Sequence, residues 1–452
     1  MFDDPLLLAR AQFGLNIAFH ILFPSITIAL AWFLVYLRVR ADRPGAGWAQ
    51  TAYELWVKIF ALSFALGVVS GIVMSFQFGT NWPGFMQKAG NVAGPLLGYE
   101  VLTAFFLEAT FLGVMLFGRE CVPRWLHTLS AVLVAAGTTA SAFWILALNS
   151  WMQTPQGFEV IDGTLHVVSW WDVVFNPSFP YRLSHMLLAS GLTAAFLIAG
   201  VSAFQLLRNR AHEPARRMFR TGAAVGAILI PIQIVVGDRH GLNTLEHQPA
   251  KIAAIEAIWT SGARVPLVLL AWPNPSERRN DYAIEIPGGA SFILRHDWNA
   301  ELQGLDRFAD RHPPVRPVFF AFRVMVGTGV LMLLLSWLAS GYLLAKRRIP
   351  PWMLFAFALM TFSGWVATLA GWLVTEIGRQ PYLVYGVITT AETASSVPAG
   401  NIAITLVGYA LVYALLLVSY LVVLTQLARS AAGDAPVIPP SGELQPTGTV
   451  RA

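Results

Sequence analysis

What most constrains this chain is the recurrence of apolar runs long enough to cross a bilayer. They fall near 14–37, 55–78, 96–117, 128–149, 183–207, 221–237, 318–345, 352–375 and 399–428. About 20 apolar residues in a helix span the hydrocarbon core. Lipid offers no partner to a free backbone amide or carbonyl, so such runs must close their hydrogen bonds internally, as helices. The sequence predicts an all-α integral membrane protein with nine transmembrane helices. Pro231 and Gln233 interrupt the sixth run, which is kept because the charge pattern below needs it. Composition agrees: 56% of residues are hydrophobic and 12% charged, about half the charge of a soluble chain. A lipid bilayer is the expected surrounding, and no nucleic acid is expected as a partner.

The basic residues orient the bundle. One set of connections holds Arg38, Arg40 and Arg43; Arg119 and Arg124; Arg208, Arg210, Arg216, Arg217 and Arg220; and Lys346, Arg347 and Arg348. The short connections of the opposite set hold Lys88, Arg182 and Arg379, with Arg10 before the first run. Basic residues favour the cytoplasmic side, and long loops carry little weight in that rule. The N-terminus is then outside and the C-terminus cytoplasmic. The expected organisation is helices one to six over 1–237, an outer segment over 238–317, helices seven to nine over 318–428, and a disordered Pro/Gly/Ser/Thr-rich cytoplasmic tail over 429–452. The acidic start, MFDDPLLLAR, lacks the basic region of a secretory signal and is expected to stay in the mature protein. With Cys121 the sole cysteine, no intrachain disulfide can form.

Polar residues within the runs carry the chemistry. Of nine histidines only His20 (GLNIAFHILFPS) and His185 (YRLSHMLLASG) lie inside them; His240, His247, His296 and His312 fall in the outer segment. A histidine in a membrane helix is a functional hypothesis by default, and histidine is a common axial ligand of heme iron. A packing role is the plainer reading for either one alone. Met325 stands in FFAFRVMVGTG, two residues after Arg323. His and Met together ligate low-spin hemes, and an arginine at that depth needs an anion, such as a propionate. GYEVLTAFFLEAT carries Glu100 and Glu108, eight residues apart, which suit a proton path or an iron site; helix–helix hydrogen bonding is the plainer reading. Ser141, Asn149 and Gln153 on the fourth run extend that polar set. The eighth run ends GWLVTEIGRQPY. A charge at the bilayer centre costs about 2.5–3.5 kcal/mol on insertion scales, yet Glu376 and Arg379 sit at this end, and Pro381 follows. Glu376 is expected at the depth of His20, His185 and Met325, so four possible iron ligands share one layer near the outer face.

These motifs resemble a family. GW followed by EIGRQP, FRVM before GTG, FQFGTNW (76–82), the two-glutamate helix and WILALNSWMQTP (144–155) are together similar to subunit I of cytochrome bd-type quinol oxidases. The resemblance covers about 5–428. It implies that His20 and Glu376 each bind a high-spin heme of the oxygen site, and that His185 and Met325 bind a low-spin heme b. It places Glu100 beside the oxygen-side hemes and Glu108 and Ser141 on the proton route, with Arg323 and Arg379 at the heme layer. The implied cofactors are a low-spin heme b, a high-spin heme b, and heme d or a second high-spin heme b in its place. EHQPAKIAAIEAIW (246–259) matches the quinol segment, making Lys251 and Glu256 candidate contacts for ubiquinol or menaquinol. The implied partners are subunit II, a possible small single-helix accessory subunit, and O2, in a bacterial inner membrane. Two departures stand out. LDRFADRHPPVRP runs straight into FFAFR, as in the short-loop branch that includes oxidases called cyanide-insensitive. Tyr382 replaces the usual tryptophan of GRQPW.

The expected activity is quinol oxidation at the outer face with O2 reduced to water by cytoplasmic protons, building a proton motive force without a pump. Two other readings stay open at the sequence level: a b-type cytochrome that only relays electrons, and an ion or proton transporter built on Glu100, Glu108 and Arg323.

Overall fold

The computed structural model describes residues 4–308 and 311–433. Among these, nine helical spans are long and apolar enough to cross a membrane: α1 (Pro5–Ala41), α2 (Gly47–Thr80), α3 (Pro83–Glu120), α4 (Arg124–Gln153), α5 (Phe179–Arg208), α6 (Glu213–His247), α7 (Val315–Leu344), α8 (Pro351–Ile377) and α9 (Ala399–Ala431). The all-α fold class stands. The tail expected over 429–452 is helical in its first residues, to Ala431, and 434–452 lie outside the described residues.

Local chemistry explains where these helices begin and bend. The Asp4 side chain accepts from the N–H groups of Leu6 and Leu7, at 3.0 and 3.2 Å, and so caps α1. Within α1 one helix ends at Leu22 and another starts at Pro24; proline suits a first helical position, where its missing N–H is no loss. α3 contains a π-helical stretch, Val101–Phe105, and α8 a 3-10 turn, Met360–Phe362.

The spans outrun their apolar runs. At 1.5 Å per residue they measure about 40–57 Å, against roughly 30 Å of hydrocarbon. The extra turns carry polar residues that hydropathy assigns to loops. α6 continues from the expected end at 237 to His247, so the outer segment starts ten residues later than expected and His240 lies on a membrane helix. The rest of that segment folds into a short helix (Pro249–Ile255), an antiparallel hairpin (Leu267–Asn274 with Arg279–Ile286) and a second short helix (Gly289–Arg295). Ile252, Ile258, Trp259, Leu294 and Leu305 form its core, which is continuous with Phe319 on α7 and Val374 on α8.

Two packing arrangements position the site. α5, α6, α7 and α8 form a ring in which each packs on the next and α8 returns to α5, while the diagonal pairs make little or no contact. α4 packs on α1, α3 and α5 and acts as a central post.

Candidate functional site

Cofactor sites in helix bundles are built from side chains on facing helices. The ring supplies His185 on α5 and Met325 on α7, which are diagonal to each other. His185 points at Gly237 of α6, where a Cβ would stand 3.4 Å from its Cε1. Its Nδ1 is buried with no hydrogen-bond partner among the described residues. Met325 points at Gly371 of α8, where a Cβ would stand 2.9 Å from its sulfur. Glycines thus face both candidate ligands, and a donor nitrogen and a thioether are left unspent.

His20 on α1 meets α2. Its Nδ1 lies 3.1 Å from both the Gly67 carbonyl and Ser70 Oγ. A carbonyl only accepts, so the bond to Gly67 puts the proton on Nδ1 and leaves Nε2 the free lone pair; a second ligand-orienting bond of this kind is what a metal-binding histidine uses. Gly71 again clears the ring, with a Cβ position 3.1 Å from Cε1.

Glu376 sits in the last turn of α8. Its Oε1 accepts from Asn149 Nδ2 at 2.9 Å and its Oε2 from Arg379. Each oxygen accepts one bond and keeps a lone pair, so both donors can orient the carboxylate while it ligates a metal. Around this carboxylate stand three buried cations. Arg182 reaches the same Asn149, Nη1 to Oδ1, at 3.4 Å. Lys251 Nζ donates to Gln153 Oε1 at 2.7 Å. Burial, then Arg182 and Arg379, hold the Lys251 amine well below the usual lysine range. Burial likewise lowers Arg379, against the pull of Glu376. Arg182 Nε and Arg379 Nε and Nη1 are buried without partners among the described residues. These orphaned donors fit carboxylates not supplied by the chain, such as heme propionates. The expected single layer of ligands is stepped: Gly371, level with Met325, lies five residues inward of Glu376, about 8 Å along α8.

The carboxyls of α3 face α4. Ser141 Oγ donates to Glu100 Oε1 at 2.7 Å. Gly137, one turn inward, leaves room for Glu108, whose Cγ would be 2.7 Å from a Cβ there. Eight residues of α-helix would set Glu100 and Glu108 about 80° apart. The π stretch between them takes up one extra residue in its turn, so they are spaced like i and i+7 and share a face to within about 20°. Glu108 is buried and its Oε1 has no partner among the described residues. Gly137, Ser141, Asn149 and Gln153 thus follow α4 from Glu108 to the cation layer while turning through about 160° of the helix.

The structure separates the two candidate quinol contacts. Lys251 belongs to the cation layer. Glu256, five residues on, lines a separate cavity of about 250 Å³ with Trp259, Val268 and Asn280. Its Oε2 accepts from Arg323 Nη2 at 2.8 Å. Arg323 also donates to the carbonyls of Ile255 and of Val268, the latter at 2.6 Å. The anion beside Arg323 is thus Glu256, and three of the arginine's five donors go to the outer segment, whereas Arg379 keeps buried donors without partners among the described residues. Burial raises the Glu256 carboxyl above its ordinary range while Arg323 opposes the rise.

Two residues were not singled out by sequence. Arg182 reads as a loop charge yet is buried in the first turn of α5. His240 reads as an outer-segment residue, yet its ring centroid lies 5.6 Å from that of His185. The i, i+3 spacing of Arg182 and His185 is the one signal that pointed to the former.

Comparison with known proteins gives consistent matches. The family model for cytochrome bd terminal oxidase subunit I matches residues 8–432. Cytochrome bd-II ubiquinol oxidase subunit 1 of Escherichia coli (strain K12) is 30% identical over 496 residues, covering 94% of this chain and 96% of that protein. Cytochrome bd ubiquinol oxidase subunit 1 of Bacillus subtilis (strain 168) is 33% identical over 427 residues, covering 91% of each. The bd oxidase structure from Geobacillus thermodenitrificans superposes with a TM-score of 0.87 at 29% identity, covering 95% of this chain and 99% of that one.

Proposed function

Since the chain belongs to the cytochrome bd terminal oxidase subunit I family, we propose that it is the heme-carrying subunit of an electrogenic quinol:O2 oxidoreductase in the bacterial inner membrane, working with a subunit II and, in some assemblies, a small single-helix subunit. The observation that carries this reading is the excess of buried basic groups, Arg182, Lys251 and Arg379, around the single carboxylate of Glu376, with His185 one turn from Arg182 and its Nδ1 unpartnered among the described residues.

His185 and Met325 would hold a low-spin heme b. His20 and Glu376 would each hold a high-spin heme, one a heme b and the other heme d or a further heme b. When bound, the hemes supply one-electron transfer and the reduction of O2 to water. The chain's residues do the rest. Arg323 holds Glu256 at the wall of the outer cavity, where its carboxylate accepts a proton from ubiquinol or menaquinol and releases it outside. Arg379 and Arg182 bind propionates, and Lys251 completes that cation layer instead of the quinol cavity. Glu108 takes protons from the cytoplasmic side and passes them outward past Ser141 and Glu100 between α3 and α4. Charge separation then arises from proton uptake alone.

The test is a reduced-minus-oxidised spectrum of the purified complex, with and without carbon monoxide, and heme extraction. A far-red chlorin band that shifts with carbon monoxide is the outcome for heme d. Only b-type bands, part of them binding carbon monoxide, are the outcome for heme b at the oxygen site. Heme indifferent to carbon monoxide would replace this reading with an electron relay, and a heme-free complex would overturn it.

A further inference from the structure

The Glu256 cavity is framed by strained backbone. The short helix ends at Ile255, and Ala257 takes φ +51°, a left-handed conformation that a side chain disfavours. Arg264, on the far side of the cavity segment, takes φ +55°. Non-glycine residues keep such conformations only where their surroundings enforce them, and they gather at functional sites.

At Ala257 the helix end does the enforcing: the Ile258 N–H donates to the Ala253 carbonyl at 2.8 Å and the Ala257 N–H to the Ala254 carbonyl at 3.4 Å, a Schellman cap, and one side chain ties that cap to the hairpin. Asn280 comes from the hairpin's second strand, opposite Pro273. Its Nδ2 donates to the Ala257 carbonyl at 3.0 Å, and its Oδ1 accepts from Trp259 Nε1 at 2.9 Å. Both ends of one amide thus bridge the turn that follows Glu256, and Asn280 itself lines the cavity. Backbone bonds from Leu305 to the Ile258 carbonyl at 2.9 Å and from Asp306 to the Trp259 carbonyl at 3.2 Å hold the turn on another side, and Asn280 ties it to the hairpin. A hydrogen bond to Arg323 fixes the Glu256 carboxyl from the membrane side; Asn280 fixes its backbone from the outer side.

We propose that Asn280 is a positioning residue of the quinol site: it ties the capped turn after Glu256 to the hairpin, and so holds the Glu256 carboxyl against a cavity that takes the dihydroxy-aromatic head group. This rests on the reading of Glu256 as the quinol contact. The head group's hydroxyls are donors, and the carboxyl at the wall is the acceptor they need; the Trp259 ring supplies an aromatic wall.

The experiment uses the complex assembled with its partner subunit. Oxygen uptake is measured with a soluble short-chain ubiquinol, with a menaquinol analogue in parallel, and with ascorbate and a phenylenediamine dye as a donor that bypasses the quinol cavity. Asn280→Ala is expected to raise the quinol KM at least fivefold. Glu256→Gln separates the two layers of the argument. If it raises the quinol KM and Asn280→Ala does not, the positioning role alone is wrong. If neither changes it, the reading of Glu256 fails and the proposal with it. Dye-driven turnover falling in parallel with quinol turnover would mark a global defect and overturn the proposal. Should Asn280→Ala fail to assemble, Trp259→Phe keeps an aromatic ring and removes only the N–H to Asn280; a KM raised about twofold or more is expected, and an unchanged KM refutes the bridge.

Discussion

Replacing Arg323 with methionine tests the anchor of the outer segment. Methionine keeps an unbranched apolar stem over the Phe319 ring, which the guanidinium now covers at 3.9 Å. It removes the donors to Glu256, Val268 and Ile255. Removing one partner of a buried ion pair costs about 3–5 kcal/mol, and carbonyls left without donors add about 1–3 kcal/mol each where water cannot reach them. Glu256 can soften the loss by taking a proton, since burial already holds its pKa above the ordinary range. The lower end therefore applies: about 3 kcal/mol, or roughly a hundredfold at 1.4 kcal/mol per decade. The expected outcome for Arg323→Met is a quinol KM raised about 10²-fold and faster proteolysis within 238–317, with heme content retained. In Arg323→Met/Glu256→Gln no charge is left unpaired, so the two losses should fall short of additive, with a coupling of about 1–3 kcal/mol. An unchanged KM with an intact outer segment would refute the clamp. Loss of heme with the segment intact would return Arg323 to a propionate.

Three further outcomes follow. Glu108→Gln removes a proton carrier that faces Gly137, so O2 reduction should slow about 10²-fold in a turnover assay while quinol binding is unchanged. Gly371→Ala puts a Cβ 2.9 Å from the Met325 sulfur; the thioether must move, and the low-spin b-type band of the reduced spectrum should weaken or shift. Glu256 accepts a proton only when ionised, and burial raises its pKa against the opposing effect of Arg323. Quinol turnover should therefore climb with pH through a limb above the ordinary glutamate value of about 4.3, and Glu256→Gln should abolish that limb.

The membrane helices were legible because a span of about 20 residues averages its hydropathy over many side chains. Their ends were not, since turns beyond the hydrocarbon obey capping and packing. Asp4 extends α1 outward, and α6 keeps its helix through Pro231 to His247. The same blindness placed Arg182 and Arg379 among loop charges, where they counted toward orientation, although both are buried. Hydropathy sees a charge near a span end and cannot tell water from a protein-lined site. Lys251 and Glu256 read as one quinol motif because they are five residues apart. The short helix from Pro249 to Ile255 sets positions five apart about 140° around its axis, which sends one side chain to Gln153 and the other to Arg323. That divergence depends on a helix of barely two turns inside a segment that hydropathy reads as a loop. The aligned carboxyls of α3 are a similar case: their spacing is visible, but the π turn that puts both on one face is not.

The cation layer bears most directly on what the bundle is for. Guanidinium groups keep their protons in proteins, so Arg182 and Arg379 bring two fixed charges into a buried region where Glu376 supplies one in return. Lys251 adds a third basic group, an amine that burial and its neighbours push toward the neutral form. A transporter that moved protons through this layer would have to carry them against that field. A layer that receives anionic groups is instead balanced by them, and the orphaned nitrogens of Arg182 and Arg379 are the donors such groups would take up. The carboxyls proposed for proton transfer, Glu100 and Glu108, face α4 at Ser141 and Gly137, inward of that layer, and Glu108 Oε1 has no partner among the described residues. In the proposed orientation, protons approaching from the cytoplasmic side meet Glu108 first and Glu100 next, and the positive charge of the layer discourages further travel outward. Proton arrival and anion binding would then occupy successive levels along α4, the order that the proposed consumption of protons near the outer surface requires.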